Sequence, residues 1–156
     1  MKDGLNNKNK IRILFLCTGN SCRSQMAEGW VRFLKHDVID AYSAGIESHG
    51  INPYAVKIMA EAGIDISTQR SKNIDEFENV EFDYIITLCD HAKETCPMVP
   101  VNTKKIHVSF EDPAIYAYKL TVEDEILYHF RKVRDEIKTF VEEMPEVLKM
   151  GKYENM

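Results

Sequence analysis

Four short segments rich in β-branched and aromatic residues are spaced along the chain. They lie at residues 11–16, 38–43, 84–88 and 106–108. The first and third are almost entirely apolar, which is typical of strands that are buried on both faces of a parallel sheet. The pattern therefore predicts a sheet of four strands.

Apolar residues at helical spacing follow or separate these segments. They predict amphipathic helices over residues 24–35, 53–63 and about 122–144. Asn52 suits the N-cap of the second helix, and Thr121 with Asp124 predicts a capping box at the start of the third. A shorter helix is expected at 74–79. Residues 89–100, which include two prolines, predict a loop or a loop with a marginal helix.

The chain of 156 residues has the size of one domain. Because strands alternate with helices, we expect a single α/β domain whose four-stranded parallel sheet carries helices on both faces. We assign this domain to residues 11–145, with a flexible lead-in at 1–10 and a polar tail at 146–156.

Composition and charge narrow the classes of function. Hydrophobic residues make up 44% of the chain and charged residues 29%, a globular balance that excludes intrinsic disorder. The net charge of −5 argues against a nucleic-acid partner. No apolar run approaches the ~20 residues of a membrane-spanning helix, and the N-terminus lacks a signal-peptide core. We expect a soluble cytoplasmic protein, in which the four cysteines are catalytic groups, metal ligands or core residues.

The strongest chemical signal is the run Cys17-Thr-Gly-Asn-Ser-Cys-Arg-Ser24, between the first strand and the first helix. A loop of this length can direct successive backbone N–H groups, together with the helix N-terminus, at one tetrahedral oxyanion. Arg23 can bind two oxygens of that anion. The positive field favours the thiolate of Cys17 as a nucleophile, and Ser24 can donate a hydrogen bond to it.

Catalytic roles are therefore expected for Cys17 and Arg23. The oxyanion is expected to lie among Thr18, Gly19, Asn20, Ser21, Cys22, Arg23 and Ser24. Gly19 and Asn20 tolerate the left-handed backbone that such a loop requires. The plainer alternative is a buried cysteine at a strand end followed by a surface arginine.

The run LFLCTGNSCRSQMAEGW resembles the active-site loop of the low-molecular-weight protein tyrosine phosphatases. It resembles even more closely that of the thioredoxin-coupled arsenate reductases built on the same fold. The similarity continues through YSAGIESHGINP, GIDIS, ITLC, FEDP and KVRDEIK, and so covers nearly all of residues 11–141. It implies the phosphatase-like fold and either phosphate-ester hydrolysis or arsenate reduction.

The remaining cysteines favour reduction over hydrolysis. Phosphoryl transfer needs no thiol besides the nucleophile, whereas reduction of an oxyanion takes two electrons that thiols must supply. Cys89 and Cys96, in LCDHAKETCP, occupy the arrangement that the resembling reductases use for their redox pair. The alternatives are structural cysteines or a zinc site with His91, although a seven-residue gap is unlike structural zinc sites. Cys22 is expected to pack within the loop.

Asp112, in Phe110-Glu-Asp-Pro113, matches the general acid that both families place opposite the nucleophile. Glu111 is the neighbouring alternative, and an aspartate before a proline is also an ordinary turn. The phosphatases usually continue with aromatic residues that recognise a phosphotyrosine ring, whereas Ala114 and Ile115 follow here. This departure weakens the case for a phosphatase.

Some thioredoxin-coupled relatives bind a potassium ion through groups equivalent to Asn20, Glu28, Ser43 and an aspartate. This chain has Lys72 where that aspartate would fall. An ammonium group cannot coordinate a cation and can instead occupy its place. This departure argues against potassium dependence, and we expect no tightly bound cofactor and no metal.

The resemblance thus implies an arsenate reductase in which arsenate forms a covalent adduct with Cys17. Cys89 and Cys96 then carry the disulfide outward to thioredoxin, which regenerates the thiols. Phosphate and sulfate are expected to compete with arsenate. Two alternatives remain: a phosphatase for phosphotyrosine or small phosphate esters that uses Cys17, Arg23 and Asp112, and a redox sensor or oxyanion-binding protein without turnover.

Overall fold

One four-stranded parallel sheet forms the centre of the computed structural model, which describes residues 10–96 and 99–150. Its strands are β1 (Ile11–Cys17), β2 (Ile39–Gly45), β3 (Tyr84–Thr87) and β4 (Lys104–His107). The spatial order is β2-β1-β3-β4, and every neighbouring pair is parallel. The predicted α/β fold is confirmed, and the strand ends differ from prediction by at most two residues.

Six α-helices occur in the described part of the chain. They are α1 (Arg23–Leu34), α2 (Pro53–Glu61), α3 (Asp90–Thr95), α4 (Ile115–Lys119), α5 (Glu123–Glu142) and α6 (Glu146–Lys149). The short helix expected at 74–79 is a 3₁₀ helix, Ile74–Phe77. Within residues 10–96 and 99–150, no helix combines the length and the apolar composition needed to cross a membrane.

Both faces of the sheet are covered. Consecutive strand residues point to opposite faces, and Ile13, Leu14, Phe15 and Leu16 of β1 are each at most 1% exposed. On the face of Leu14, an aromatic cluster of Tyr42, Phe77 and Phe82 has ring centroids 5.3–6.0 Å apart. Elsewhere α1 packs against β1, β2 and α5, and α2 packs against α5. The expectation of helices on both faces is therefore confirmed.

Two expectations for the C-terminal part are wrong. α5 begins after Val122, which makes no side-chain cap, so Thr121 lies one position too early to form a capping box. The acidic residues 123–125 instead interact favourably with the helix dipole. The packed chain also continues beyond residue 145, because Val147 and Leu148 of α6 are buried. Residues 1–9 of the expected lead-in at 1–10 lie outside the described residues, as do residues 97–98 and 151–156.

A crevice opens where the chain reverses its direction across the sheet. β1 is followed by β2 on one side, and β3 then pairs with the opposite edge of β1. In open α/β sheets, ligands bind beyond the carboxyl ends of the strands at such a switch point. Cys17 is the last residue of β1, and Cys89 follows the end of β3 by two positions. The topology thus brings both thiols to one edge.

Gly29 allows α1 to approach the segment that follows α2. A β-carbon added at this position would lie 2.7 Å from Cγ2 of Ile66, whose side chain is fully buried. The higher helix propensity of alanine would by itself raise the free energy of unfolding by about 1 kcal/mol. Because of the collision with Ile66, Gly29→Ala should instead lower the free energy of unfolding by about 1–2 kcal/mol. Denaturant unfolding measures the sign of the change.

The matched background is Ile66→Ala, which removes the colliding methyl group. In that background Gly29→Ala should stabilise the protein, and the two changes should be coupled in a double-mutant cycle. A Gly29→Ala single variant more stable than the parent would contradict this packing.

Candidate active site

The loop between β1 and α1 forms one wall of a cavity of about 390 Å³. Cys17 lines this cavity together with five residues of the loop that follows it: Thr18, Gly19, Ser21, Cys22 and Arg23. Asn20 adopts the left-handed conformation, with φ of 49°, which asparagine tolerates better than most residues. The loop therefore curls around the cavity.

The side chain of Asn20 supports this loop from the protein interior. Its Nδ2 donates to Oγ of Ser24 at 2.8 Å, and its Oδ1 accepts from the backbone N–H of Lys72 at 2.7 Å and from Nε2 of Gln25 at 2.9 Å. Asn20 and Ser24 are fully buried. We expected both around the oxyanion, but their side chains hold the loop in place behind the cavity lining.

Ser24 also orients the thiol of Cys17. Its Oγ lies 2.8 Å from Sγ of Cys17 and already accepts the hydrogen bond from Asn20. The hydroxyl hydrogen is therefore available to donate to the sulfur, which stabilises a thiolate.

Cys22, the other cysteine of this loop, is not suited to act as a nucleophile. Burial and the charge of Asp112 raise the pKa of its thiol far above the ordinary value. Cys22 thus stays protonated and is no nucleophile near neutral pH.

Arg23 and Asp112 lie next to each other in the lining of the cavity. Nη1 of Arg23 donates to the carbonyl oxygen of Phe110 at 3.0 Å, and its Nη2 lies 3.6 Å from Oδ2 of Asp112. The N–H of Ala114 donates to Oδ1 of Asp112 at 3.0 Å. Asp112 lines the cavity, whereas the neighbouring Glu111 is exposed and accepts a hydrogen bond from a tyrosine hydroxyl. The geometry favours Asp112 over Glu111 as the acid.

Cys89 lies beside the cavity loop, and Cys96 does not. Sγ of Cys89 is 3.2 Å from Oγ1 of Thr18, and it accepts the backbone N–H of Ala92 as the N-cap of α3. Cys96 follows the other end of α3. It lines a separate, mainly apolar cavity of about 350 Å³ with Leu14 and neighbouring residues. Burial raises the pKa of the Cys96 thiol. All four cysteines are free thiols.

Five further residues line the cavity of Cys17, and the sequence did not predict them as site residues: His49, Asn52, Ala114, Ile115 and Tyr118. The ring of His49 lies so close to Gly19 that a β-carbon there would collide with it, and its Nε2 is 2.6 Å from Oε1 of Glu47. The signal that could have found His49 is its place after β2, because the carboxyl ends of parallel strands meet at one edge.

A lysine occupies the region where relatives were expected to bind potassium. Nζ of Lys72 donates to the carbonyl oxygen of Arg70 and lies 3.8 Å from Oε1 of Glu28, which also accepts from Ser43 at 2.5 Å. Burial lowers the pKa of Lys72, while Glu28 opposes the shift. These residues do not fit a potassium ion, because the ammonium already stands beside Glu28. In the described chain, no group of three His, Cys, Asp or Glu residues could hold a metal.

Known proteins are similar to this chain in sequence and in fold. An arsenate reductase from Halalkalibacterium halodurans is 53% identical over 139 residues, covering 86% of this chain and 97% of that protein. One from Bacillus subtilis is 50% identical over 139 residues, covering 89% and 97%. A solved arsenate reductase in the phosphate-binding state has a TM-score of 0.65 at 34% identity, covering 86% of this chain and 95% of that one. The low molecular weight phosphotyrosine protein phosphatase model matches residues 12–153, and the chain belongs to that family.

Proposed function

We propose that this protein is an arsenate reductase in which thiols pass two electrons to the bound oxyanion. The observation that carries the proposal is the contact between Thr18 and Cys89, which holds a second thiol beside the loop of Cys17. A phosphatase has no use for that thiol. Relatives that are named arsenate reductases and share half of the aligned residues support the same activity.

The cavity suits a small tetrahedral anion. Backbone N–H groups of the loop and the N-terminus of α1 can donate to its oxygens, and Arg23 adds a positive charge whose side chain is only 12% exposed. The phosphate-binding state of a related reductase supports this class of ligand. Phosphate and sulfate should therefore compete with arsenate, since all three are tetrahedral anions.

The first chemical step forms a bond between Cys17 and arsenic. The thiolate of Cys17 attacks the arsenic atom, and one arsenate oxygen leaves as water after protonation, with Asp112 as a proton donor. The thiolate of Cys89 then attacks Sγ of Cys17. The sulfur–arsenic bond breaks and its electron pair stays on arsenic, which leaves as arsenite with a Cys17–Cys89 disulfide behind.

A second exchange carries the oxidation outward. The thiolate of Cys96 attacks Sγ of Cys89, which releases Cys17 as a thiolate and leaves a Cys89–Cys96 disulfide. The two thiols of a thioredoxin then reduce this disulfide and become oxidised themselves. A reducing compartment such as the cytoplasm supplies that partner.

α3 must open for this second exchange. Its two flanking cysteines are seven residues apart, so a helical path separates their α-carbons by about 10 Å, whereas a disulfide needs roughly 7 Å or less. α3 has only six residues, and helices this short depend on packing for their stability. Local unwinding is therefore a small cost in this step.

A phosphatase remains the second candidate, and one observation favours it. Ile115 and Tyr118 line the same cavity as Cys17, Arg23 and Asp112. Tyr118 supplies an aromatic ring at this cavity, whereas Ala114 and Ile115, which follow Asp112-Pro113 directly, supply none. We therefore propose a weak side activity on aryl phosphates. A redox sensor or anion-binding protein without turnover would not need Asp112 in the cavity of the nucleophile.

Three single cysteine variants separate reduction from hydrolysis. Cys17→Ser should abolish arsenate reduction and aryl phosphate hydrolysis together, because an alcohol is not ionised near neutral pH. Cys89→Ser should lose arsenate reduction and retain aryl phosphate hydrolysis. Cys96→Ser is the matched control at a thiol outside this cavity and should retain aryl phosphate hydrolysis. If Cys89→Ser loses hydrolysis as fully as reduction, Cys89 is structural and the proposal fails.

The disulfides formed in one turnover identify the relay. After stoichiometric arsenate and no thioredoxin, peptide mapping should find Cys89 joined to Cys96 in the wild-type protein. Cys96→Ser should instead trap Cys17 joined to Cys89, because the second attacking thiol is missing. Four free thiols after release of one equivalent of arsenite would exclude the relay.

Replacement of the salt tests the role assigned to Lys72. Because its ammonium already stands beside Glu28, arsenate reduction should proceed at the same rate in potassium, sodium or choline chloride of equal ionic strength. Steady-state rates at fixed thioredoxin concentration measure this, with thioredoxin reductase assayed alone as the control. Activation specific to potassium would contradict the assignment.

A further inference from the structure

Two side chains of β4 hold α3, the helix flanked by Cys89 and Cys96. Nε2 of His107 lies 3.2 Å from Oδ1 of Asp90, the first residue of α3. Nζ of Lys105 donates to the carbonyl oxygen of Lys93 at 3.1 Å. The first contact fixes the beginning of the helix and the second its last turn. We call these two contacts the β4 clamp.

His107 is held on its other side by the sheet. Its Nδ1 is 2.8 Å from Oγ1 of Thr87, the residue directly opposite it on β3. Only 11% of the His107 side chain is exposed. An ionised Asp90 can only accept, so Nε2 is the donor, and the Thr87 hydroxyl can bond to Nδ1 in either charge state of the ring. The imidazole is therefore fixed in place and reaches from the sheet to the helix.

Lys105 donates to a carbonyl group of α3 that has no hydrogen-bond donor within the helix. The last four carbonyl groups of any helix have no intrahelical partner, and Lys93 belongs to that set in a helix of six residues. An ammonium at a helix C-terminus also interacts favourably with the helix dipole. Lys105 thus stabilises the end of α3 that precedes Cys96.

We propose that His107 and Lys105 are positioning residues for the thiol relay, which clamp α3 in its helical form and oppose formation of the Cys89–Cys96 disulfide. The inference rests on the relay described under Proposed function. Joining the two sulfurs requires α3 to open, and opening breaks both contacts to β4. The same contacts keep Cys89 beside Thr18, where its first attack takes place.

Hydrogen exchange of the reduced protein measures how strongly the β4 clamp protects α3, and it needs no substrate. In His107→Ala the amides of residues 92–95 should exchange roughly two- to tenfold faster, the effect of one lost hydrogen bond. Lys105→Met should act in the same direction. The amides of β1 should be unchanged in both variants, and His107→Gln, which keeps a donor toward Asp90, should restore protection. The matched controls are exposed side chains of the same types, His36→Ala and Lys132→Met.

The equilibrium between the reduced Cys89–Cys96 pair and its disulfide measures the effect of the β4 clamp on the redox pair. In a Cys17→Ser background, oxidised dithiothreitol accepts two electrons and two protons from Cys89 and Cys96 and becomes reduced dithiothreitol. His107→Ala should shift this equilibrium toward the protein disulfide by the same factor as the exchange rates, and His107→Gln should reverse the shift. A variant that only weakened the fold would instead accelerate exchange in β1 as well.

Hydrogen exchange and the disulfide equilibrium distinguish failure of the β4 clamp from failure of the relay. Unchanged exchange in α3 for both His107→Ala and Lys105→Met would overturn the clamp, as would faster exchange with an unchanged disulfide equilibrium. If no Cys89–Cys96 disulfide forms in any variant under oxidising conditions, the relay itself is wrong, and the clamp as a device of that relay is overturned with it.

Discussion

The buried side chain of Asn20 fixes the turn on which the active site depends. Its amide binds Ser24, Gln25 and the backbone of Lys72, and its backbone takes the left-handed conformation in the middle of the loop. An unpaired polar group in such a place would cost about 1–3 kcal/mol. The network therefore holds one loop geometry, in which Ser24 reaches Cys17. The hydrogen bonds that support the cavity wall therefore lie inside the protein.

In the proposed relay, the second thiol has the opposite requirement. Cys17 would stay in a fixed cradle, whereas the disulfide would move to a place that a protein partner can reach. Cys89 lies at the junction of β3 and α3, beside Thr18, and Cys96 lies beyond a six-residue helix, an arrangement that suits both needs. A short helix is stable only through its packing. Under this proposal, the contacts of α3 with β4 set how readily the helix opens.

The sequence predicted the sheet well because its strands are compact and mostly apolar. The small helices α4 and α6 have too few residues for a periodic pattern, and Val147 and Leu148 were consequently assigned to a polar tail. Cys17, Arg23 and Asp112, which line one cavity, and Cys89, which contacts Thr18, were candidates from the sequence because each lies near the end of a strand or the start of a helix in a recognisable motif. The direction of the Asn20 side chain and the contribution of Tyr118 depend on tertiary packing, which spacing along the chain does not encode.

We propose that this phosphatase-like cavity is used for reduction. Arsenate-dependent oxidation of NADPH with thioredoxin and thioredoxin reductase, compared on the same sample with hydrolysis of an aryl phosphate, tests this use. We expect a kcat/KM for arsenate reduction well above that for hydrolysis, and no NADPH oxidation when thioredoxin is omitted. Efficient hydrolysis without arsenate-dependent NADPH oxidation would contradict it.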